Sequence, residues 1–265
     1  MSREKVYVIK VGGQVIDDET KLNTLLKAFA AIPEKKILVH GGGKLATDFA
    51  KKVGLVAQMV DGRRVTDEAM MEIVTMVYGG LVNKKIVAKL QALNCNATGA
   101  TGADSNLITS AKRPIVNGVD YGWVGDPVMV DERVLQLWLS GGLVPVLAPL
   151  THDGKGNLLN TNADTIAAEA AKAAAKIYDV SLVYTFELPG VLKDINDHDS
   201  LITHINATSF DSFKAEGLIH SGMIPKLEGA LEAVGEGVSD VRISHFAAIS
   251  KFADKEFREF TLITN

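Results

Sequence analysis

Short apolar runs alternate along this chain with amphipathic stretches of helical period, and that alternation predicts its elements. Val6-Tyr7-Val8-Ile9 and Ile37-Leu38-Val39 are continuous apolar runs rich in β-branched residues, the pattern of strands buried on both faces. Leu22, Leu25, Leu26, Phe29 and Ile32 recur at helical spacing, and Leu45, Phe49 and Val53 do so again. Thr66, followed by Asp67 and Glu68, has the form of a helix N-cap with acidic residues in the first turn. From there Met70, Ile73, Val74, Val77 and Leu81 mark one face of a long helix, and Gly79-Gly80 inside it predicts a bend or a close approach. Gly118, Gly122 and Gly125 among β-formers between 114 and 130 predict a strand hairpin. A helix over 131–140, a buried strand over 143–147, an alanine-rich helix over 163–176 and a strand over 180–184 follow. A polar loop at 193–200, helices near Phe210 and over 225–234, and strands at 238–244 and 260–263 complete the chain. Strands and helices in this order predict a mostly parallel sheet covered on both faces, with ligands at the carboxyl ends of its strands.

Length and charge narrow the partners. A chain of 265 residues suits one α/β domain or two fused lobes. Its net charge of -4 argues against nucleic acid, so any positive field for a phosphorylated ligand has to be local. The longest apolar run, 143–150, contains two prolines and falls far short of the ~20 residues of a membrane span. The polar start shows no signal peptide, and the single Cys95 forms no intrachain disulfide, so a reducing cytoplasm is expected.

Two turns carry the first chemical signal. Each apolar run near the N-terminus leads into glycines, at Lys10-Val11-Gly12-Gly13 and at His40-Gly41-Gly42-Gly43, and a helical pattern follows. Glycines let backbone amides approach an anion, and a helix N-terminus adds its dipole at the same spot. Neither turn is a Walker A loop or a G-x-G-x-x-G fingerprint, because Leu38 and Leu45 stand where the former needs Gly and Ser or Thr. Lys10, at the end of a strand, is the best single cation for a phosphate.

Other segments add polar groups whose ordinary structural roles compete with chemistry. In Asn160-Thr161-Asn162-Ala163-Asp164, Asn162 suits a helix N-cap and Asp164 the helix dipole, although Asp164 beside lysines could also hold ammonium groups. Arg63 and Arg64, in the segment from Asp61 to Thr66, offer a guanidinium for a carboxylate. Lys226, in Ser221-Gly222-Met223-Ile224-Pro225-Lys226, is a cation at the positive end of a helix, a placement that makes sense when an anion binds there. The six histidines show no metal spacing, and His40 could simply satisfy the backbone of its turn.

Taken in order, KVGG at Lys10, HGGG at His40, GRRVT at Gly62, NTNAD at Asn160 and SGMIPK at Ser221 make the chain resemble the amino acid kinase family over essentially its whole length. The resemblance implies a three-layer αβα sandwich around a mostly parallel sheet, with an N-terminal lobe over 1–176 for an acyl amino acid and dimerisation. By the same resemblance a C-terminal lobe over 177–265 would take ATP. It implies a kinase of arginine biosynthesis that phosphorylates the γ-carboxylate of N-acetyl-L-glutamate, with ATP and Mg²⁺ held mainly by the nucleotide's phosphates and no protein metal site. By motif, Lys10 and Lys226 would stabilise the transferring phosphoryl group and Asp164 would orient both lysines. Gly12, Gly13 and Gly41 would offer it backbone amides. Gly42, Gly43, Arg64 and Asn160 would bind the acceptor, the last two at its α-carboxylate, and Thr185, Glu187 and Gly190 would meet the nucleotide.

The chain departs from the family's wording at Thr185-Phe186-Glu187-Leu188-Pro189-Gly190, on the nucleotide side, and at 99–105, on the acyl side. It also starts at its first strand, without the N-terminal helix of arginine-inhibited hexameric relatives, so an arginine-insensitive homodimer is expected. An N-succinyl acceptor is the nearest alternative. A phosphate acceptor such as isopentenyl phosphate or UMP is disfavoured by Arg64 with Asn160. A non-catalytic nucleotide sensor is disfavoured by retention of Lys10, Asp164 and Lys226.

Overall fold

The computed structural model describes residues 3–60, 63–219, 222–254 and 256–265, so Asp61, Gly62 and Ser221 of the sequence motifs lie outside the described residues. The elements begin with β1 (Lys5–Lys10), α1 (Gly13–Asp17), α2 (Glu19–Ala30), β2 (Lys35–Val39) and α3 (Gly43–Lys52). Next come β3 (Met59–Val60), β4 (Arg63–Arg64), α4 (Glu68–Val74), a π-helical segment Thr75–Val82, α5 (Asn83–Gln91), β5 (Ala97–Ala100), β6 (Ile108–Lys112) and β7 (Gly125–Val130). They continue with α6 (Glu132–Ser140), β8 (Val144–Leu147), β9 (Leu150–His152), β10 (Leu158–Asn160), α7 (Ala163–Ala175) and β11 (Asp179–Phe186). The last are β12 (His204–Ile205), α8 (Ala207–Ala215), α9 (Ile224–Gly235), β13 (Asp240–His245) and β14 (Phe260–Ile263). Among the described residues no helix is long and apolar enough to cross a membrane.

The chain is α/β, and most strand pairs of its larger sheet are parallel among the described residues. Residue contacts divide the chain into one unit of Met1–Ile37 with Ala167–Asn265 and another of Leu38–Ile166, a partition that differs from the expected lobe boundary at 176/177. The reason is pairing: β1 lies parallel to β11, Lys5 opposite Asp179 and Lys10 opposite Tyr184, so the first strand packs with the C-terminal residues.

In the first unit the strand order is β12-β14-β13-β11-β1, and among the described residues only the β13–β14 strand pair is antiparallel. Its central strands are buried along nearly their whole length, which accounts for their unbroken apolar wording. The helix directly after the first glycine turn is short. α1 has five residues, too few to build much of a dipole, and α2 starts separately with Asp18 capping Thr20 and Lys21.

In the second unit β8 lies parallel to both β2 and β5, and a smaller sheet runs β10-β9-β6-β7. The hairpin expected within 114–130 is wider than that. β7 pairs antiparallel with β6, upstream of the expected range, and the tight turn is marked by the Val116–Val119 bridge. On α3 the buried face is Ala46 and Ala50, while Val53 is exposed, so the small residues and not the larger apolar ones face the core.

The long helix is present, with two corrections. Asp67 is its N-cap, accepting from the Met70 amide, because the Thr66 hydroxyl is buried and used elsewhere. Its middle widens into the π segment, around Gly79, where a Cβ would lie 3.3 Å from Leu150 Cδ1. A π turn takes an extra residue, which shifts the buried face by one position downstream. Met70, Ile73, Val74 and Val77 are buried as the helical period predicts, but Leu81 is 57% exposed and Val82 takes its place at 3%.

That shift can be measured. Val82→Ala should cost roughly 1–3 kcal/mol in urea unfolding, more than Leu81→Ala. An uninterrupted α-helical register requires the reverse order.

Candidate active site

The first glycine turn is built on the end of the β1–β11 pair. Thr185 Oγ1 donates to the Lys10 carbonyl at 3.0 Å and accepts from the Gly12 amide at 3.4 Å, which pins the turn to the end of β11. A Cβ on Gly12 would lie 2.8 Å from the Thr185 carbonyl oxygen, so glycine is required for this approach. Gly13 has open space where a Cβ would project. An accessible backbone beside a closely packed one is what a phosphate cradle needs.

Lys226 belongs to the same unit, in the first turn of α9, with Nζ 5.6 Å from the centroid of the Phe186 ring. Phe186 follows Thr185, so the end of β11 carries both the hydroxyl that holds the Lys10–Gly12 turn and the ring beside Lys226. Glu187 pairs with Lys21. Gly190 has a packing role, since a Cβ there would lie 2.5 Å from Thr261 Oγ1 and 2.7 Å from Leu201 Cδ1.

The second unit contains a cavity of about 270 Å³ lined by Gly41, Gly42, Gly43, Arg64 and Asn160 among others. All five of these residues were singled out from the sequence, and the fold gathers them. Arg64, on β4 and only 8% exposed, donates from one Nη to the Gly43 carbonyl at 2.8 Å and to Thr47 Oγ1 at 2.7 Å. Asn160 Nδ2 donates to Thr66 Oγ1 at 3.0 Å, and Thr66 Oγ1 donates to the Arg64 carbonyl at 3.3 Å. The hydroxyl that looked like a helix cap therefore ties Asn160 to the strand carrying Arg64. Asp164 stands in the first turn of α7, whose end is capped as expected, the Asp164 amide donating to Asn162 Oδ1 at 2.7 Å.

The wall also contains Arg63, which the sequence offered beside Arg64, and residues that sequence reasoning missed: Met59, Tyr78 and Arg113. Arg113 Nε lies 3.1 Å from each carboxylate oxygen of Asp126, and its guanidinium sits 5.7 Å from the Tyr121 ring centroid. Tyr78 comes from the π segment; its ring would lie 3.0 Å from a Cβ on Gly42, and burial raises its pKa while Arg64 opposes the rise. Gly42 has φ +151°, so its backbone as well as its surroundings require glycine.

His40, just before this turn, is fully buried. Its Nδ1 lies 2.8 Å from the Gly41 carbonyl and its Nε2 3.1 Å from Asn83 Nδ2. Burial lowers its pKa to about 4, outweighing the Gly41 hydrogen bond that favours the proton, and Lys84 lowers it further.

Residues 5–245 match the model of the amino acid kinase family. The chain belongs to this family. The acetylglutamate kinase of Bacteroides fragilis is 57% identical over 247 residues, 93% of this chain and 94% of that protein. The acetylglutamate kinase of Cytophaga hutchinsonii is 56% identical over 240 residues, 91% of each chain. Among solved structures, N-acetylglutamate synthase from Neisseria gonorrhoeae, complexed with coenzyme A and N-acetyl-glutamate, superposes with a TM-score of 0.81. It is 21% identical and the match covers all of this chain but 60% of the synthase, so it speaks for the amino acid kinase fold alone.

The buried His40 predicts an acid-sensitive term in this family member's stability. Its folded pKa, about 4, lies below the ordinary 6.5, so the two states hold equal protons above 6.5. Between 6.5 and 4 the unfolded chain takes up the proton first, and stability falls as pH falls. Urea midpoints across that window should show a loss of up to about 3 kcal/mol that is absent from His40→Asn. Parallel curves for the two proteins would show that His40 does not titrate this way.

Proposed function

We propose that this protein is an ATP-dependent kinase that phosphorylates the γ-carboxylate of N-acetyl-L-glutamate, a soluble enzyme of arginine biosynthesis in the cytoplasm. The observation that carries the reading is identity of 56–57% over nearly the whole length of proteins named acetylglutamate kinase. The cavity supports it. Arg64 beside Asn160 and the amides of a triple-glycine turn suit the α-carboxylate and acyl chain of an amino acid better than a phosphorylated acceptor.

The chemistry needs little from the protein. A γ-carboxylate is ionised at neutral pH, so its oxygen attacks the γ-phosphorus of ATP without a general base. The new P–O bond forms as the bond to ADP breaks, giving an acyl phosphate and ADP. What the residues supply is alignment and charge neutralisation. Lys10 and Lys226 are assigned to the transferring phosphoryl group, Asp164 to orienting the lysines, and Gly12, Gly13 and Gly41 to its oxygens. Gly42, Gly43, Arg64 and Asn160 hold the acceptor. Residues 177–265 take the nucleotide, with Thr185, Glu187 and Gly190 nearest to it. The open face at Gly13 fits a nucleotide phosphate and the Mg²⁺ it carries. The ion, when bound, neutralises phosphate charge.

A second reading keeps the reaction and changes the acyl group. Arg63, Arg64 and Arg113 all line the cavity, whereas the acetylated acceptor presents a single carboxylate besides the one that reacts. An N-succinyl group would bring another carboxylate, and Arg113 or Arg63 could receive it.

Incubation with ATP, Mg²⁺ and hydroxylamine tests both readings, because hydroxylamine traps an acyl phosphate as a hydroxamate. Hydroxamate is expected with N-acetylglutamate; formation only with N-succinylglutamate selects the second reading, and turnover only with a phosphorylated acceptor rejects both. Arg64→Ala should raise KM for the acyl amino acid about tenfold to a hundredfold while sparing ATP. Lys10→Ala should instead lower kcat by about 10²–10³ with KM values shifted only a few-fold, the mark of a group acting in the transition state. Equal effects on both substrates, or a near-normal kcat, would remove these assignments.

A homodimer through the long helix is part of the proposal. Met76 and Leu81 leave large apolar side chains exposed on it, at 51% and 57%. Light scattering should give about 57 kDa, twice the 28.3 kDa chain, and Leu81→Asp should shift it towards the monomer.

A further inference from the structure

Three glycines in a row leave the second turn without side chains to hold it, yet its amides are the groups assigned to the acceptor. The restraint comes from outside the turn, through His40 and Asn83. The Gly41 carbonyl 2.8 Å from His40 Nδ1 can only accept, so Nδ1 carries the ring proton. At the other end, Asn83 Nδ2 faces His40 Nε2 at 3.1 Å and the Val146 carbonyl at 2.9 Å. Asn83 Oδ1 accepts from Lys84 Nζ at 3.2 Å, and the same ammonium donates to the Gly99 carbonyl at 3.0 Å.

The orientation of the Asn83 amide therefore does not depend on the histidine. Val146 requires a donor from it and Lys84 requires an acceptor, which leaves the second Nδ2 hydrogen for Nε2. Only the neutral ring protonated at Nδ1 satisfies every partner. Asn83 itself is 1% exposed, and its Oδ1 occupies the space that a Cβ at Gly99 would take, so this approach requires glycine there. Burial and the nearby Lys84 both disfavour the imidazolium, in keeping with this tautomer.

We propose that His40 is a positioning residue for the acceptor site, its tautomer set by the network through Asn83: the ring holds the Gly41 carbonyl, and so fixes the direction of the Gly42 amide. A trans peptide places C=O and N–H on opposite sides of its plane. With the carbonyl drawn towards the buried ring, the Gly42 N–H is turned the other way. The Tyr78 ring, 3.0 Å from the Cβ position of Gly42, backs the same residue and limits its movement. The inference rests on the proposed role of Gly42 in holding the acceptor.

A pair of substitutions separates the two ring nitrogens, because an asparagine amide can occupy the place of Nδ1 and a glutamine amide the place of Nε2. His40→Asn keeps a donor for the Gly41 carbonyl and should keep KM for the acyl acceptor within about threefold of the unaltered protein. His40→Gln keeps the contact with Asn83 but loses that donor, and should raise the acceptor KM about tenfold, with KM for ATP unchanged. Nitrogen-15 spectra of the unaltered protein should show His40 as the neutral Nδ1–H tautomer from pH 8 down to 5.5. Equal acceptor KM values for the two variants would overturn the positioning role, and an Nε2–H or doubly protonated ring at pH 7 would overturn the network. The spectrum decides the network even where a variant fails to fold. Failure of the unaltered protein to phosphorylate any N-acylglutamate, with the Nδ1–H tautomer intact, would instead strike the proposed function and with it the acceptor role of Gly42.

Discussion

Parallel pairing is the constraint on which the rest of this structure depends. Strands that run the same way leave the sheet at the same edge, so residues just past their ends become neighbours whatever their distance in sequence. In the first unit the Lys10–Tyr184 register brings Thr185 to the turn after β1, where its hydroxyl bridges the Lys10 carbonyl and the Gly12 amide across 175 and 173 positions of chain. In the second unit the β2–β8 register sets Val39 opposite Leu147, and the His40 amide continues the ladder to the Leu147 carbonyl at 3.1 Å. Each glycine turn thus starts from a strand end whose position is already fixed by hydrogen bonds, and only the turn itself has to be ordered.

The π segment of the long helix solves a related problem with a different device. A regular helix repeats its faces every 3.6 residues, so it cannot keep one stripe in the core and also aim a residue between two turns at a ligand wall. One wide turn breaks the repeat locally. Here it places Tyr78 against Gly42 and, after the shift, delivers Val82, Asn83 and Ile86 to the interior. Asn83, directly after the π segment, reaches His40 Nε2 at 3.1 Å. The same irregularity therefore serves both sides of the turn, the cavity wall and the buried tether.

How much of this was legible in the sequence depended on where each contribution came from. Strands β1, β2, β8 and β11 were legible because burial on both faces writes itself as an apolar run, and Gly42, Gly43, Arg64 and Asn160 were legible because they stand in compact segments. Leu81 misled because periodicity assumes one helical pitch, and Val53 misled because α3 packs through Ala46 and Ala50, which carry little hydrophobic weight in a pattern. Thr66 looked like a cap because the sequence does not show Asn160, 94 positions away, claiming its hydroxyl. Arg113 and Tyr78 gave no signal at all. One sits on a hairpin arm and the other inside a helix, and only the folded chain puts either at the cavity.

The charges show the same division between what composition reports and what structure arranges. A chain of net charge -4 cannot attract phosphates or carboxylates as a whole, so its cations have to act at short range and where water is partly excluded. Arg64 meets that condition, 8% exposed and aligned by the Gly43 carbonyl and Thr47 hydroxyl before any ligand arrives. In the proposed acceptor site, fixing it beforehand would spare a bound carboxylate the cost of ordering a long side chain. The backbone amides of the glycine turn need the same preparation, and having no side chains they borrow it from His40. In the proposed acceptor site guanidinium and amide would thus be prepared by different means for one task, and the tether would matter most for the group that has least of its own to hold it.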